Sequence, residues 1–254
     1  MRIGIIGYGI VGRATELTLR KFCNSEISFI VYDKQLTKTS IENMADCDYI
    51  FLALPTPSCE DGTCDISLID NVCKTLTTMK ITVPAIIRST VFPGTTERLR
   101  KDYDLKVNFM PEFLTQSQFH YDAENPYFVV VGGEEADQII KDLFSNDQAP
   151  VFATNSITAE LLKYTLNTFF ATKVTFANQI YDIAQEVGAD YNFISKTAQL
   201  HPFVGQNHFN IFYGGYRGYG GKCLPKDTKA IAYGFDNEFF KFIDRLNENL
   251  MEKV

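Results

Sequence analysis

A chain of 254 residues is long enough for one large domain or two modest ones, each with a proper core. Its 45% hydrophobic and 22% charged shares are ordinary for a globular protein, and no apolar run reaches the roughly 18 residues of a membrane-spanning helix. A net charge of −7 without a basic stripe argues against nucleic-acid binding, and the N-terminal apolar stretch is cut by Gly-Tyr-Gly and Arg13, which leaves no signal-peptide core.

The six cysteines, at 23, 47, 59, 64, 73 and 223, form no Cys-x-x-Cys pair and show no paired-histidine spacing. Cys59, Cys64 and Cys73 are near enough in sequence to bind a metal in principle, but free thiols of a cytoplasmic protein without a metal site are the expectation.

The first 150 residues alternate short apolar, β-branched runs with helical patterns, as parallel βαβ units do. Strands are expected at 2–6, 27–32, 49–54, 85–89, 107–110 and 128–131, and helices after Gly12 and around 66–79, 95–101 and 135–144. The continuous apolar character of the strands suits a sheet covered on both faces. The texture changes near Thr154. From Ser156, a possible N-cap, a helix runs without Gly or Pro to Val187, and Gly188 follows it. At 1.5 Å per residue it would be roughly 45 Å long, too long for a crossover. The expected fold is therefore α/β, a doubly wound parallel sheet of Rossmann type over 1–153, followed by a helical domain over 154–254. That second domain should carry the long helix, a short helical stretch, a glycine-rich aromatic loop at 213–221 and a last helical segment from Glu238.

Gly7-Tyr8-Gly9-Ile10-Val11-Gly12 directly follows a strand and directly opens a helix. In that context Gly-x-Gly-x-x-Gly permits a tight turn, close approach of backbone to a pyrophosphate, and tight packing of helix on strand. The helix N-terminus adds amides and a partial positive charge. Asp33 ends the second strand 21 residues beyond Gly12. A carboxylate there would bond the adenosine ribose hydroxyls and repel a 2′-phosphate, so the expected cofactor is NAD rather than NADP, Lys34 weakening the exclusion slightly.

Three further stretches carry chemistry. Ser89-Thr90-Val91-Phe92-Pro93-Gly94-Thr95-Thr96 lies at the C-terminal end of a strand, where ligands of open α/β sheets gather. Pro111-Glu112-Phe113-Leu114 ends the next strand. In Gly218-Tyr219-Gly220-Gly221-Lys222-Cys223-Leu224-Pro225-Lys226-Asp227 a thiol sits four residues before a carboxylate, next to exposed backbone. Lys163 and Asn167 share one face of the long helix, amid apolar neighbours. Taken alone, that pair also reads as an exposed lysine and a surface asparagine, and Cys223 as an ordinary buried thiol.

Together with Pro55-Thr56-Pro57 and Ala159-Glu160, these stretches resemble the UDP-glucose/GDP-mannose dehydrogenase family, in its order and across nearly the whole chain. The resemblance implies oxidation of the primary alcohol of a nucleotide sugar to a carboxylate with two NAD in succession, UDP-glucose being the first choice of substrate. It makes Cys223 the nucleophile that forms a thiohemiacetal and then a thioester. Lys163 and Asn167 become oxyanion donors. Asp227, Glu112 and Thr90 position or deprotonate water, while Thr56 and Lys226 join the cofactor-binding residues. It also implies a homodimer through the helical domain, with the apolar stripe Phe239, Phe240, Phe242, Ile243, Leu246, Leu250 and Met251 covered by the partner chain, unless it packs back on its own domain.

Three departures from the family qualify this. Members continue into a second Rossmann-like domain for the nucleotide of the substrate, whereas this sequence reaches Val254 as a segment resembling the central helix begins, so the nucleotide-binding half is expected to be missing. Thr115-Gln116 replaces a second glutamate, and Gln116 cannot act as a base. His201-Pro202-Phe203-Val204-Gly205 stands where an arginine is usual. The competing expectations are a two-electron dehydrogenase of the 3-hydroxyacid type, which has no need of Cys223, and a non-catalytic NAD-binding remnant, which has no need of Cys223, Lys163, Asn167 and Asp227 together.

Overall fold

β1 (Arg2–Ile6) buries Ile3 and Ile5 on one face of a sheet and Ile6 on the other. A strand covered on both sides reads as an unbroken apolar run, and this is why the N-terminus looks as it does. The computed structural model describes residues 1–35, 39–59, 62–144 and 148–252. Two compact units divide the chain: Met1–Pro57 with Asp65–Lys163, and Ser58–Cys64 with Tyr164–Val254.

In the first unit, β1 passes into α1 (Ile10–Phe22). Then follow β2 (Ser28–Tyr32), β3 (Tyr49–Leu52), α2 (Ser67–Thr78), β4 (Ala85–Ile87), α3 (Thr95–Tyr103), β5 (Val107–Phe109), α4 (Phe119–Glu124), β6 (Val129–Gly132), α5 (Ala136–Leu143) and β7 (Val151–Thr154). The sheet order is β2-β1-β3-β4-β5-β6-β7, parallel throughout except where β6 runs antiparallel to β5. The order reverses at β1, between β2 and β3. In open α/β sheets such a switch point opens the crevice that takes ligands.

Alternation within the strands divides the core in two. Ile50, Leu52 and Ile87 pack with Ile69, Cys73 and Leu76 of α2 and Leu99 of α3. Tyr49, Phe51 and Ile86 pack with Leu19 and Phe22 of α1 and Ile139 of α5. β4 and β5 have only three residues each. Their backbone bonds contribute about 1 kcal/mol net apiece, whereas each fully buried large side chain contributes roughly 1.5–3 kcal/mol. Burial between helix layers therefore holds the centre of the sheet.

The six expected strands, and the helices expected around 66–79, 95–101 and 135–144, lie within two residues of those bounds, whereas the helix expected after Gly12 begins earlier, inside the motif at Ile10. Among the strands and α-helices described in this unit, two went unexpected. β7 is an edge strand with Phe152 exposed, so it lacks the buried run that marks the others. α4 buries a single residue, Ala123, whose carbonyl accepts the Thr18 hydroxyl at 2.8 Å.

The long helix, α6 (Ser156–Val187), has 32 residues and is about 48 Å long. Its N-cap is Asn155 rather than the expected Ser156. The Asn155 Oδ1 accepts the Thr158 N–H at 2.8 Å, while the buried Ser156 hydroxyl donates to Glu97 at 2.6 Å. At the other end Gly188 is left-handed (φ 73°), and the Ala189 N–H closes on the Ala184 carbonyl at 2.8 Å, a Schellman closure.

The second unit adds α7 (Tyr191–Ala198), α8 (Leu224–Gly234) and α9 (Glu238–Met251). α8 begins inside the Gly-Tyr-Gly-Gly motif, with Pro225 in its first turn, where a missing N–H costs nothing. α9 turns Ile243, Asn247 and Leu250 inward on its own unit and leaves Phe239, Phe242 and Met251 exposed. Part of the apolar stripe expected to meet a partner chain is thus used within the unit. Among the described residues no helix is long and apolar enough to cross a membrane.

Asn155→Ala should lower stability by about 1 kcal/mol, and Asn155→Asp, which keeps the acceptor, should lose much less. Thermal unfolding followed by circular dichroism reads both; an unchanged midpoint in Asn155→Ala would remove the cap assignment.

Candidate active site

The turn between β1 and α1 has three glycines with three different reasons. Gly7 has φ 89°, and a Cβ there would lie 2.4 Å from the Ala53 carbonyl oxygen. A Cβ on Gly12 would lie 2.1 Å from the Gly7 carbonyl oxygen, so α1 can start this close to β1 only without a side chain. Gly9 is the reverse case, since a Cβ there would meet nothing within 4 Å. Its backbone faces open space at the N-terminus of α1, which has neither a side-chain cap nor an acidic residue in its first turn. That cradle fits a pyrophosphate, which takes hydrogen bonds from main-chain N–H groups and favours the positive end of a helix.

Asp33, just past β2, is drawn to this turn. One carboxylate oxygen accepts the Tyr8 N–H at 2.8 Å and the other the Gln35 N–H at 2.9 Å. Those two bonds, Tyr8 foremost, hold the carboxyl below its ordinary pKa and keep it anionic. Tyr8 gives its hydroxyl to Glu16 on the first turns of α1. At the ends of β3 and β4, the Ser89 hydroxyl accepts the Leu54 N–H at 2.8 Å and donates to the Leu54 carbonyl at 2.6 Å. The Thr56 hydroxyl donates to the Thr90 carbonyl at 2.8 Å, so the two proposed site threonines lie on one clasp between neighbouring loops.

Beyond β5, Glu112 meets Lys163 of α6. The ammonium lies 2.8 Å from Glu112 Oε1 and donates to the Glu112 carbonyl at 2.6 Å. It also sits 5.5 Å over the Phe113 ring. Burial works to raise the Glu112 pKa, but Lys163, the Leu114 N–H and Arg88 together bring it below the ordinary carboxylate value. Arg88 is buried and donates to the Met110 and Pro111 carbonyls at 2.9 and 3.1 Å, which fixes the segment leading to Glu112. Burial pulls its pKa down to about 10, so it stays charged at neutral pH. Arg88 was not singled out in the sequence. Its signal was a lone cation at the end of the run Ala-Ile-Ile, where a sheet interior offers little water.

Glu160, one turn before Lys163, is also buried. It accepts from the Gly94 N–H at 2.6 Å and from the Thr96 N–H and hydroxyl at 2.8 and 2.6 Å. Burial raises its pKa against those three donors. It thus satisfies the N-terminus of α3 and ties the Ser-Thr-Val-Phe-Pro-Gly-Thr-Thr loop to α6, a role that sequence matching left unassigned.

In the second unit, Cys223 stands at the N-cap position of α8, at the end of the glycine-rich loop, and is exposed. One helical turn later Asp227 is fully buried. Its carboxylate accepts the Asn167 amide at 2.5 Å and the Lys226 ammonium at 2.6 Å. Lys226 also lies 3.5 Å from the Cys64 sulfur, and Cys64 in turn 3.4 Å from the Tyr164 hydroxyl. The predicted residues thus fall into two groups. The first unit holds the 7–12 turn, Asp33, Thr56, Thr90, Glu112 and Lys163. The second holds Asn167, Cys223, Lys226 and Asp227. Lys226, expected near the cofactor or the glycine-rich loop, is engaged by Asp227 and Cys64.

Residues 28–147 match the family model for the UDP-glucose/GDP-mannose dehydrogenase family, NAD binding domain, and residues 157–249 match that family's central domain. The first match begins at Ser28, so the 7–12 turn stands on its own geometry. A UDP-glucose 6-dehydrogenase of Bacillus subtilis (strain 168) is 31% identical over 84% of this chain and 51% of its own length. A GDP-mannose 6-dehydrogenase of Pseudomonas aeruginosa is 31% identical over 82% and 52%. The chain thus spans about half the length of these curated relatives. A solved UDP-glucose dehydrogenase from the archaeon Pyrobaculum islandicum has the same fold, with TM-score 0.83 over 99% of this chain and 68% of its own at 24% identity.

Gly9→Ala should separate folding from cofactor binding. With room for the methyl group, stability should stay within about 0.5 kcal/mol of wild type. NAD affinity should fall about tenfold or more, because the methyl group stands where the pyrophosphate must approach. Calorimetric titration and thermal unfolding on the same sample check this, and undiminished affinity would move the phosphate site elsewhere.

Proposed function

We propose that this chain, which belongs to the UDP-glucose/GDP-mannose dehydrogenase family, carries the cofactor site and the covalent catalyst for NAD-dependent oxidation of a nucleotide sugar's primary alcohol to the carboxylate. UDP-glucose is the first substrate to test. The observation that carries the reading is Cys223 at the start of α8, with the buried Asp227 one turn on and already bonded to Asn167.

Residues 1–153 are taken as the NAD-binding domain and 154–254 as the helical domain. The main chain of the 7–12 turn would hold the pyrophosphate, and Asp33 and Thr56 would complete the cofactor site. Bound there, NAD supplies the hydride acceptor for both oxidation steps, alcohol to aldehyde and thiohemiacetal to thioester.

The remaining chemistry belongs to side chains of this chain. The Cys223 sulfur, as thiolate, attacks the aldehyde carbon; a C–S bond forms and the carbonyl electron pair moves to oxygen. Lys163 and Asn167, one turn apart on α6, are the donors for that oxyanion. Both are preoriented by carboxylates, Lys163 by Glu112 and Asn167 by Asp227, so little reorganisation is needed when charge develops. After the second oxidation, water adds to the thioester carbon, and Asp227, Glu112 and Thr90 are the residues that the resemblance implies for positioning or deprotonating it. The C–S bond then breaks and sulfur leaves with its electron pair, restoring Cys223. Lys226 keeps the charge of Asp227 compensated while that carboxylate is buried.

The test counts NADH formed per nucleotide sugar consumed. Wild type should yield two, and alkylation of Cys223 should abolish turnover. Cys223→Ser should permit the first oxidation and lose most release of acid, about a hundredfold or more, as expected when a nucleophile is replaced by a poorer one. An unchanged rate and stoichiometry in Cys223→Ser would show the thiol to be a spectator.

A further inference from the structure

The loop that delivers Cys223 has little stiffness of its own. Gly214, Gly215, Gly218 and Gly221 all have positive φ, between 76° and 86°, and glycine imposes the weakest restraint on its backbone. Yet Tyr219, in the middle of this run, is only 2% exposed. Its ring packs with Ala171 and Val174 of α6 and Ile243 of α9. Its main chain is held by one side chain 28 residues later in sequence. Asn247 Oδ1 accepts the Tyr219 N–H at 2.7 Å, and Asn247 Nδ2 donates to the Tyr219 carbonyl at 2.9 Å.

We propose that Asn247 is a positioning residue for Cys223, fixing the glycine-rich loop by gripping both polar groups of Tyr219 as a neighbouring strand would. The proposal rests on the reading of Cys223 as nucleophile. Residue chemistry singles out the amide, a short side chain that offers a donor and an acceptor together. Aspartate would present only acceptors to a buried carbonyl, and leucine, of similar size, would leave both Tyr219 groups unpaired in a dry setting, since Asn247 is 3% exposed. The grip also explains a glycine. A Cβ on Gly218 would lie 2.4 Å from Asn247 Oδ1, so any larger residue there displaces the amide. Only three residues separate Tyr219 from Cys223, and what fixes the first limits where the second begins α8.

The test uses the full chain and two readouts that need no turnover. Hydrogen exchange by mass spectrometry reports the backbone of 214–223. The pH profile of Cys223 alkylation by iodoacetamide, separated from Cys59 by peptide mass, reports the surroundings of the thiol. In Asn247→Leu, exchange across the loop should rise about tenfold or more while the β1–β5 strands keep wild-type protection. The profile of Cys223 alkylation should shift away from that of wild type. Asn247→Gln, which keeps both polar groups, should restore part of each effect. Gly218→Ala attacks the same grip from the loop side and should reproduce them if Asn247→Leu does not fold. Folded Asn247→Leu or Gly218→Ala protein with wild-type exchange and a wild-type alkylation profile would overturn the proposal. Faster exchange with an unmoved alkylation profile would overturn the link to Cys223. Loss of the nucleophile reading through Cys223→Ser would leave the exchange result untouched, so the two failures are distinguishable.

Discussion

The closeness of β1 to the start of α1 is the constraint on which the rest of the site depends. The helix begins three residues after the turn opens, and the backbone of Gly12 lies against the Gly7 carbonyl so tightly that no Cβ fits. This places the N-terminus of α1 at the switch point of the sheet, where the order reverses around β1. The amides there have no capping side chain and no carboxylate in the first turn to occupy them. A helix end without internal partners needs them from elsewhere, and the open space before Gly9 is where an anionic ligand can supply them. Asp33 then closes the far side of the turn through Tyr8.

A second theme is that the charged residues of the site are stored as pairs. Lys163 is 5% and Glu112 11% exposed at the side chain, and Asp227 is compensated by Lys226 while it holds Asn167. Breaking a buried pair by removing one member costs about 3–5 kcal/mol, whereas replacing both by apolar residues is often neutral or stabilising. Stability alone therefore gives no reason to keep such pairs, and their common feature is that each sets a donor or a carboxylate in one orientation. Glu160 differs, since its partners are the N-terminal groups of α3 and its effect is to fasten a loop to α6.

Much of the fold was legible because burial on both faces leaves long apolar runs, and because Ser156, Gly188 and the absence of Gly and Pro mark the span of α6. The edge strand β7 escaped since Phe152 is exposed and no period marks it. α8 escaped because its first turn lies inside a motif read for its chemistry. Of the candidate site, the tight turn at 7–12 was legible, since no Cβ fits at Gly7 or Gly12. The partners of the functional side chains were not, because they depend on contacts across long sequence separations, Lys163 with Glu112, Asn167 with Asp227 and Tyr219 with Asn247. Ser156 shows the same limit on a small scale: a hydroxyl able to cap was claimed by Glu97, and its neighbour took the cap.

The most direct test of the account is calorimetric titration of the full chain with NAD and with NADP at equal ionic strength. In the proposed cofactor site the turn at 7–12 would take a pyrophosphate, and the anionic Asp33 beside it would disfavour a 2′-phosphate. The account predicts that NAD binds and that NADP binds more weakly by about 1.5–3 kcal/mol, roughly ten- to a hundredfold. Equal affinities, or binding of neither, would contradict it.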